Sequence, residues 1–356
     1  MNKFIQIFLC FAALISPSVS IAFETDQFNL PPEPLADIGA EVSFYAEDNL
    51  RQAVEKINAE ITLRENCLKI RAAKTEKSKC GSPEKEKARL DYLRSEAAIA
   101  REVFNKLGAG FPPFTRSGSW MESHRFNARP ARYKTDYSDS IFAVFPTDYL
   151  TISSTVNLYG SEFGTDKIAH IFQQGYTYYR INERGLAENL SSAEAIKRAI
   201  EWGQKSERTF YGKWISGVYS NADLCANYAG MKFYQNLTRE IKIGSETRPP
   251  ILQLKNGVWK FDENADLSPT FLKPFVSEHL NEAWNPSVYT NLFYLRSSVR
   301  RHVKKRACAE WRKLYPDFSK SDFTEKAQKL TLWHGEDYGF TASDDFITIA
   351  DACFDD

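Results

Sequence analysis

The sequence predicts a mainly α fold: a helical domain with a charged helical hairpin near its N-terminus and one small β-hairpin. Apolar residues recur at helical spacing through charge-rich segments, as in Val54, Ile57, Ile61 and Leu68, and again in Leu93, Ala97, Ala100, Phe104 and Leu107. Helix-start chemistry accompanies these stripes. Ser82-Pro83-Glu84 places an N-cap, a first-turn proline and an acid in order, and Ser191-x-x-Glu194 forms a capping box. Strand signals are sparse, the strongest being Asn256-Gly257 between alternating apolar positions from Ile251 to Phe261.

Taken in order, Met1 to Ala22 reads as a cleavable secretory signal, with a basic start, an apolar run from Phe4 to Ile15 and small residues at Ser20 and Ala22. The alternative is an uncleaved anchor. Residues 23–356 contain no run approaching the roughly 18 apolar residues of a membrane helix. A mature chain without a transmembrane segment, periplasmic or secreted, is therefore expected. Residues 48–107 form the helical hairpin, turning at Cys80-Gly81, with its dense charge read as a solvated face. Gly108, Gly110 and Pro112-Pro113 end it.

Phe111 to Asp139 lacks any period and reads as a long irregular connection, whereas Ile141 to Tyr159 is rich enough in β-branched and aromatic residues for short strands. Helices are then expected from Asp166 to Asn182, Ser191 to Lys205 and Ser220 to Arg239, within a motif core spanning 158–240. After Pro269 a helical spacing resumes through Leu292, Leu295, Val299 and Val303, followed by a Ser321-capped segment and an acidic tail from Asp344 expected at the periphery. No repeat or linker divides residues 23–356, so a single domain is expected.

Lysine plus arginine equals aspartate plus glutamate at 46 each, which removes the basic surface that nucleic-acid binding requires. In an oxidising compartment Cys67 would bridge to Cys80 and Cys308 to Cys353, leaving Cys225 as a small hydrophobe in an apolar helix. No CxxC spacing suggests structural zinc, and Gly-x-Ser-x-Gly, the Walker loop and His-Glu-x-x-His are all missing.

Two short stretches carry the chemistry. In GTDKIAHIFQQG, Asp166 and His170 stand at i and i+4 and share a helix face, with Gln173 and Gln174 one turn on. In YSNADLCANYAG, Asp223 and Asn227 repeat that spacing among apolar and small neighbours, with Gly230 next along the face. A buried carboxylate without a partner costs several kcal/mol, so the economical arrangement has the two stripes facing each other, with Ala226, Ala229 and Gly230 letting the backbones approach. Such a set suits proton transfer or partial ligation of a divalent metal. Purely local roles are open to the same residues: Asp166 complements a helix dipole, Ser220-x-x-Asp223 is a capping pattern, and His170 need only donate to a carbonyl.

The pair DKIAH and DLCANYAG resembles the Asp-Lys-x-x-His and Asp-x-x-Ala-Asn-x-x-Gly motifs of VanZ-like proteins and of a related group of uncharacterised periplasmic proteins. The resemblance covers roughly Leu158 to Asn236. It implies a site at Asp166, Lys167, His170, Asp223, Asn227 and Gly230, and draws in Trp202, Gly203 and Glu207. It implies no particular reaction, and it departs from the membrane-embedded VanZ proteins, which are apolar where this chain has Gln173 and Gln174.

Glu207 reads in two ways: as the second carboxylate of a glycosidase-like pair with Asp166 or Asp223, or as a surface acid pairing with Arg208 or Lys205. His302, inside a basic run, reads as part of a solvated helix face, with contact to an acidic polymer or lipid as the alternative, and His334, among loop acids, reads as exposed, with metal ligation as the alternative. The catalytic candidates are therefore Asp166, His170, Asp223, Asn227 and Glu207, with metal and cofactor unknown. The expected protein is an envelope component, either a hydrolase of envelope glycan or lipid or a non-enzymatic binding or scaffold protein using the 48–107 hairpin.

Overall fold

The computed structural model describes residues 24–72, 80–110, 115–150, 152–209 and 211–354. The segment read as a secretory signal lies outside them. The fold is mainly α with small two-stranded sheets. Helix α1 (Gly39–Ala72) begins earlier than the expected 48, and its partner is broken into α2 (Pro83–Leu93) and α3 (Glu96–Leu107) because Ser95 starts a fresh N-cap on Ala98. Ser82 caps α2 through the Lys85 backbone, and Cys67 is bonded to Cys80 across the turn. The charges here are not merely solvated. Arg64 pairs with Glu86, Arg89 with Glu60, Arg94 with Glu65 and Lys56 with Glu102, so they stitch the helices together.

The connection read as irregular contains helix α4 (Arg116–Ser123), capped by Thr115. Eight residues are too few for an apolar period to show. Strand β1 (Glu24–Thr25) pairs in parallel with β2 (Ile152–Ser153), and β3 (Thr155–Leu158) with β4 (Ser161–Gly164) makes a hairpin through Tyr159-Gly160, both at positive φ.

Three helices follow where expected: α5 (Thr165–Ala187), α6 (Ser192–Arg208) with its capping box complete, and α7 (Asn221–Asn236) after strand β5 (Val218–Ser220). Helices α5 and α7 pack backbone to backbone at glycine. A Cβ on Gly175 would lie 2.4 Å from the Gly230 Cα, and one on Gly230 would lie 2.1 Å from the Ile171 carbonyl oxygen. Strands β6 (Ile241–Ile243) and β7 (Glu246–Arg248) form one hairpin, and β8 (Leu252–Lys255) and β9 (Val258–Phe261) the one foreseen at Asn256-Gly257. Strand β10 (Ser287–Tyr289) returns to pair with β5.

The C-terminal part runs through α8 (Leu295–His302), a π turn (Val303–Ala307), α9 (Cys308–Leu314), α10 (Lys320–Lys329) and α11 (Ile349–Phe354). Ser319 caps α10, not Ser321, since its hydroxyl takes the Asp322 backbone N–H while Asp322 returns to the Ser319 backbone. The acidic tail is not peripheral: Ile347, Ile349, Ala350 and Cys353 are buried, and Cys353 is bonded to Cys308.

Buried apolar side chains fall into two clusters. One gathers α1, α3, α5 and α7 around residues such as Leu50, Phe172, Leu224 and Trp259; the other joins Phe142, Phe145, Trp284, Trp311 and Phe323 to the tail. Cys225 is free and buried in the first. Among the described residues no helix is long and apolar enough to cross a membrane.

Candidate functional site

The polar stripes of α5 and α7 face each other. Asp166 stands in the first turn of α5, behind an N-cap glycine that makes no side-chain bond, and its carboxylate is taken by tertiary partners. The Thr25 hydroxyl donates to Asp166 Oδ1 at 2.7 Å, and the Lys167 ammonium contacts Oδ2. On α7 the Ser220 hydroxyl accepts from the Asp223 backbone N–H at 3.1 Å, so the capping pattern is half used. The Asp223 carboxylate points away to Lys167, 2.6 Å from Oδ1, and toward the His170 ring, 3.6 Å from Oδ2. Dipole and cap thus account for the positions of the two acids, not for what their carboxylates touch.

His170 is the partly open member, with 17% of its side chain exposed, whereas Asp166, Asp223 and Lys167 side chains are exposed by 3% or less. Its Nδ1 lies 3.0 Å from Asn227 Oδ1. An amide oxygen can only accept, so Nδ1 is the donor in this contact, and Nε2 is the ring atom turned toward Asp223. At 3.6 Å that nitrogen is beyond a direct hydrogen bond and remains available to a third group.

The organising group is Lys167. Its Nζ meets Asp166, Asp223 and Glu282, the last at 2.7 Å, and all four side chains are buried. Glu282 also accepts from the Ser220 hydroxyl at 2.9 Å. Glu24 and Glu207 complete the acids and are equally buried. Burial pushes the Glu24 carboxyl well above the usual range, with Glu282 and Asp223 adding to the rise. Burial does the same to Glu207, reinforced by Asp223 and opposed by Lys167 and the Ser220 N–H. Glu282 is pushed up to about 7, chiefly by burial, with Lys167 pulling the other way. Burial disfavours the Lys167 charge, but Asp166, Asp223, Glu282 and Glu24 outweigh it and hold its pKa well above the lysine range. One ammonium cannot balance five ionised carboxylates, so part of the set is held protonated. Among the described residues the Oε2 atoms of Glu24, Glu207 and Glu282 have no hydrogen-bond partner, which fits that shortage of cations.

Among the described residues two groups of side chains converge as ligand sets. Asp166, His170 and Asp223 bring one ligand atom each within 4.8 Å of one another, as do Glu24, Asp166 and Glu282. Oxygen with imidazole nitrogen suits a divalent cation, and the Asn227 amide behind Nδ1 is the kind of partner that orients a ligating histidine.

Asp166, His170, Asp223 and Asn227 therefore come together. Glu207 faces the same acids and is no surface residue, contrary to its reading as a partner of Arg208 or Lys205. The α6 face carrying Gly203 and Glu207 is turned inward, and a Cβ on Gly203 would strike the Tyr178 hydroxyl. Of the two glutamines one turn on, Gln174 is buried, while Gln173 donates to the Gly110 carbonyl at 2.9 Å.

His302 is not simply solvated. Its Nε2 lies 3.1 Å from Asn29 Oδ1, and burial lowers its pKa. His334 is exposed as expected, and neighbouring Glu336 pairs with Lys232 at 2.6 Å.

Sequence reasoning reached Lys167 only through the resemblance and missed Thr25, Glu24 and Glu282. Lys167 had a legible signal, since it shares a helix face with Ile171, Gly175 and Tyr178, where an unpaired charge is not tolerated. Glu282 sits in an aperiodic segment, HLNEAWNP, and had none. No family model, curated protein or solved structure matches this chain.

Proposed function

We propose that this chain is an exported envelope protein whose Asp166, His170, Asp223 and Asn227 centre is hydrolytic, acting on an envelope glycan or lipid. The observation that carries the reading is His170: a partly open imidazole, fixed through Nδ1 by Asn227, whose free Nε2 lies at the edge of a buried acid cluster. In this role His170 is the general base, and Asp223 lies where a protonated ring would be balanced. Lys167 keeps Asp166 and Asp223 in place, and Glu207 is a proton reservoir behind them. The likeness of DKIAH and DLCANYAG to VanZ-like and periplasmic motifs, and the two cystine bridges, fit an exported protein.

The test is turnover of isolated peptidoglycan and of phospholipid vesicles by the wild type, His170→Ala and Asp223→Asn, with thermal unfolding in parallel. Loss of turnover in variants that unfold like the wild type supports the reading, and absence of turnover in the wild type on both substrates ends it. Elemental analysis of the purified protein decides whether Asp166, His170 and Asp223 hold a metal.

A second reading has its own observation. Three carboxylates saturate the Lys167 ammonium at full burial and tie α5, α7 and the Glu282 segment together, as a structural node would. The protein is then a non-enzymatic envelope scaffold. In that case His170→Ala leaves every function intact, and deletion of 48–107 removes partner recovery.

A further inference from the structure

The segments that supply the buried acids also build a cleft on the other side. Gln27 lies two residues past Thr25, Glu162 four before Asp166, and Asn281 next to Glu282, and all three line a hollow of about 280 Å³ with Asn157, Trp284 and Tyr315. Gln27 joins cleft to cluster, its Oε1 accepting from the Glu282 backbone N–H at 2.6 Å.

The lining combines an aromatic wall with a fringe of amides and acids. Tyr315 is the half-buried ring, stacked on Trp311 at a centroid distance of 5.7 Å and edge-on to Trp284. Among the described residues no hydrogen bond engages the Glu162 carboxyl or the Tyr315 hydroxyl, both carried by residues of this lining, while Asn157 Oδ1 is also without a partner but enclosed. Asn157 Nδ2 is committed to the Leu35 carbonyl and Asn281 Nδ2 to that of Glu162, which fixes both amides.

The ligand class follows from what is already satisfied. Among the described residues no lysine or arginine lines the cleft, which disfavours phosphate or another anion. A cation would seek the Trp284 face and Glu278. Both are taken by Lys326, 4.5 Å from the ring centroid and 2.6 Å from the carboxylate. What remains is an apolar ring surface beside the Glu162 carboxyl, whose pKa burial raises, the complement of a pyranose with its C–H face and rim of hydroxyls. The volume lies just below the roughly 300 Å³ at which ligand pockets begin, and suits one sugar ring rather than a length of polymer.

We propose that this cleft is a saccharide-binding subsite, with Tyr315 as the stacking platform and the Glu162 carboxyl as its hydroxyl partner. It stands whether or not the His170 centre turns substrate over.

The test is isothermal titration of the full-length mature protein with N-acetylglucosamine oligomers of one to four units, glucose oligomers, choline and inorganic phosphate, with tryptophan fluorescence as a second readout. Saturable binding of a neutral sugar is expected, weakened tenfold or more in Tyr315→Ala and in Glu162→Ala, and unchanged in Asp223→Asn. Ser161→Trp, placed at the cleft wall, blocks binding without removing a ring from the core, and so guards against a Tyr315 variant that fails to fold. Binding of choline or phosphate with no sugar bound, or no binding at all, overturns the proposal. Equal loss in Asp223→Asn also overturns it, since the sugar would then occupy the acid cluster.

Discussion

The Lys167 ammonium lies 2.6 Å from the Asp223 carboxylate, joining α5 to α7 in a region where both side chains are almost fully enclosed. The contact brings together residues 56 positions apart (223 − 167) and sets the electrostatics around them. Its removal is the most direct probe of the centre.

Lys167→Met deletes the cation and leaves Asp166, Asp223 and Glu282 facing one another in a low-dielectric site. Removing one partner of a buried ion pair costs on the order of 3 kcal/mol or more. Urea unfolding of this variant is expected to show that loss at pH 8 and less of it at pH 5, where the acids can take up protons. An unchanged midpoint at pH 8 would mean that Lys167 does not compensate these acids.

The raised carboxyl groups fix the sign of the pH dependence. Glu282 moves from 4.5 when unfolded to about 7 when folded, and Glu24 and Glu207 move in the same direction. Between pH 4.5 and 7 the folded chain holds more protons than the unfolded one, so stability falls as pH rises through this window. The slope is up to about 1.4 kcal/mol per pH unit for each such group. Glu282→Gln keeps the acceptor for Lys167 and Ser220 and removes one titration, so denaturant unfolding from pH 4.5 to 8 should show a shallower decline. Stability that climbs over this range in the wild type would contradict the raised values.

Gly230→Ala should drive α5 and α7 apart, because the added Cβ would lie 2.1 Å from the Ile171 carbonyl oxygen, which is backbone and cannot rotate away. Overpacking of this kind costs roughly 1–3 kcal/mol. A lowered urea midpoint with unchanged slope is the expected result, and Gly175→Ala should behave alike.

The bridge between Cys308 and Cys353 closes a span of 45 residues and holds the tail on the second core. The double variant Cys308→Ser with Cys353→Ser should lose about 2–4 kcal/mol. In a chain starting at Phe23, alkylation without reduction should label nothing in the native state and one thiol, Cys225, after denaturation. Labelling of the native protein would show that this cysteine is not enclosed by α7.

Much of this fold was legible because its causes are local. The Ser82, Ser191 and Ser220 caps and the Asn256-Gly257 turn each act within a few residues, and each produced the expected element, whereas the stripe from Leu93 to Leu107 is divided between two helices at Ser95. The i, i+4 spacings of Asp166 with His170 and of Asp223 with Asn227 likewise made a shared face readable, and the small residues Ala226, Ala229 and Gly230 made the close approach readable, though not Gly175 as its counterpart. Where local signals were weak the reading failed: α4 is too short to show a period, and the acidic look of the tail concealed the apolar Ile347, Ile349 and Cys353 beneath it.

What the sequence determined by itself was thus the helices, their caps and the inward face of the polar pairs. Tertiary structure alone decided which charges answer one another: Glu282, 115 residues from Lys167, and Glu24 at the start of the described chain join the centre, and Glu207 turns inward. The physical reason is range. Hydrogen-bonded caps and periodic burial act between near neighbours along the chain, whereas a buried charge is balanced by whatever the completed fold places within a few ångströms, wherever that residue lies in the sequence.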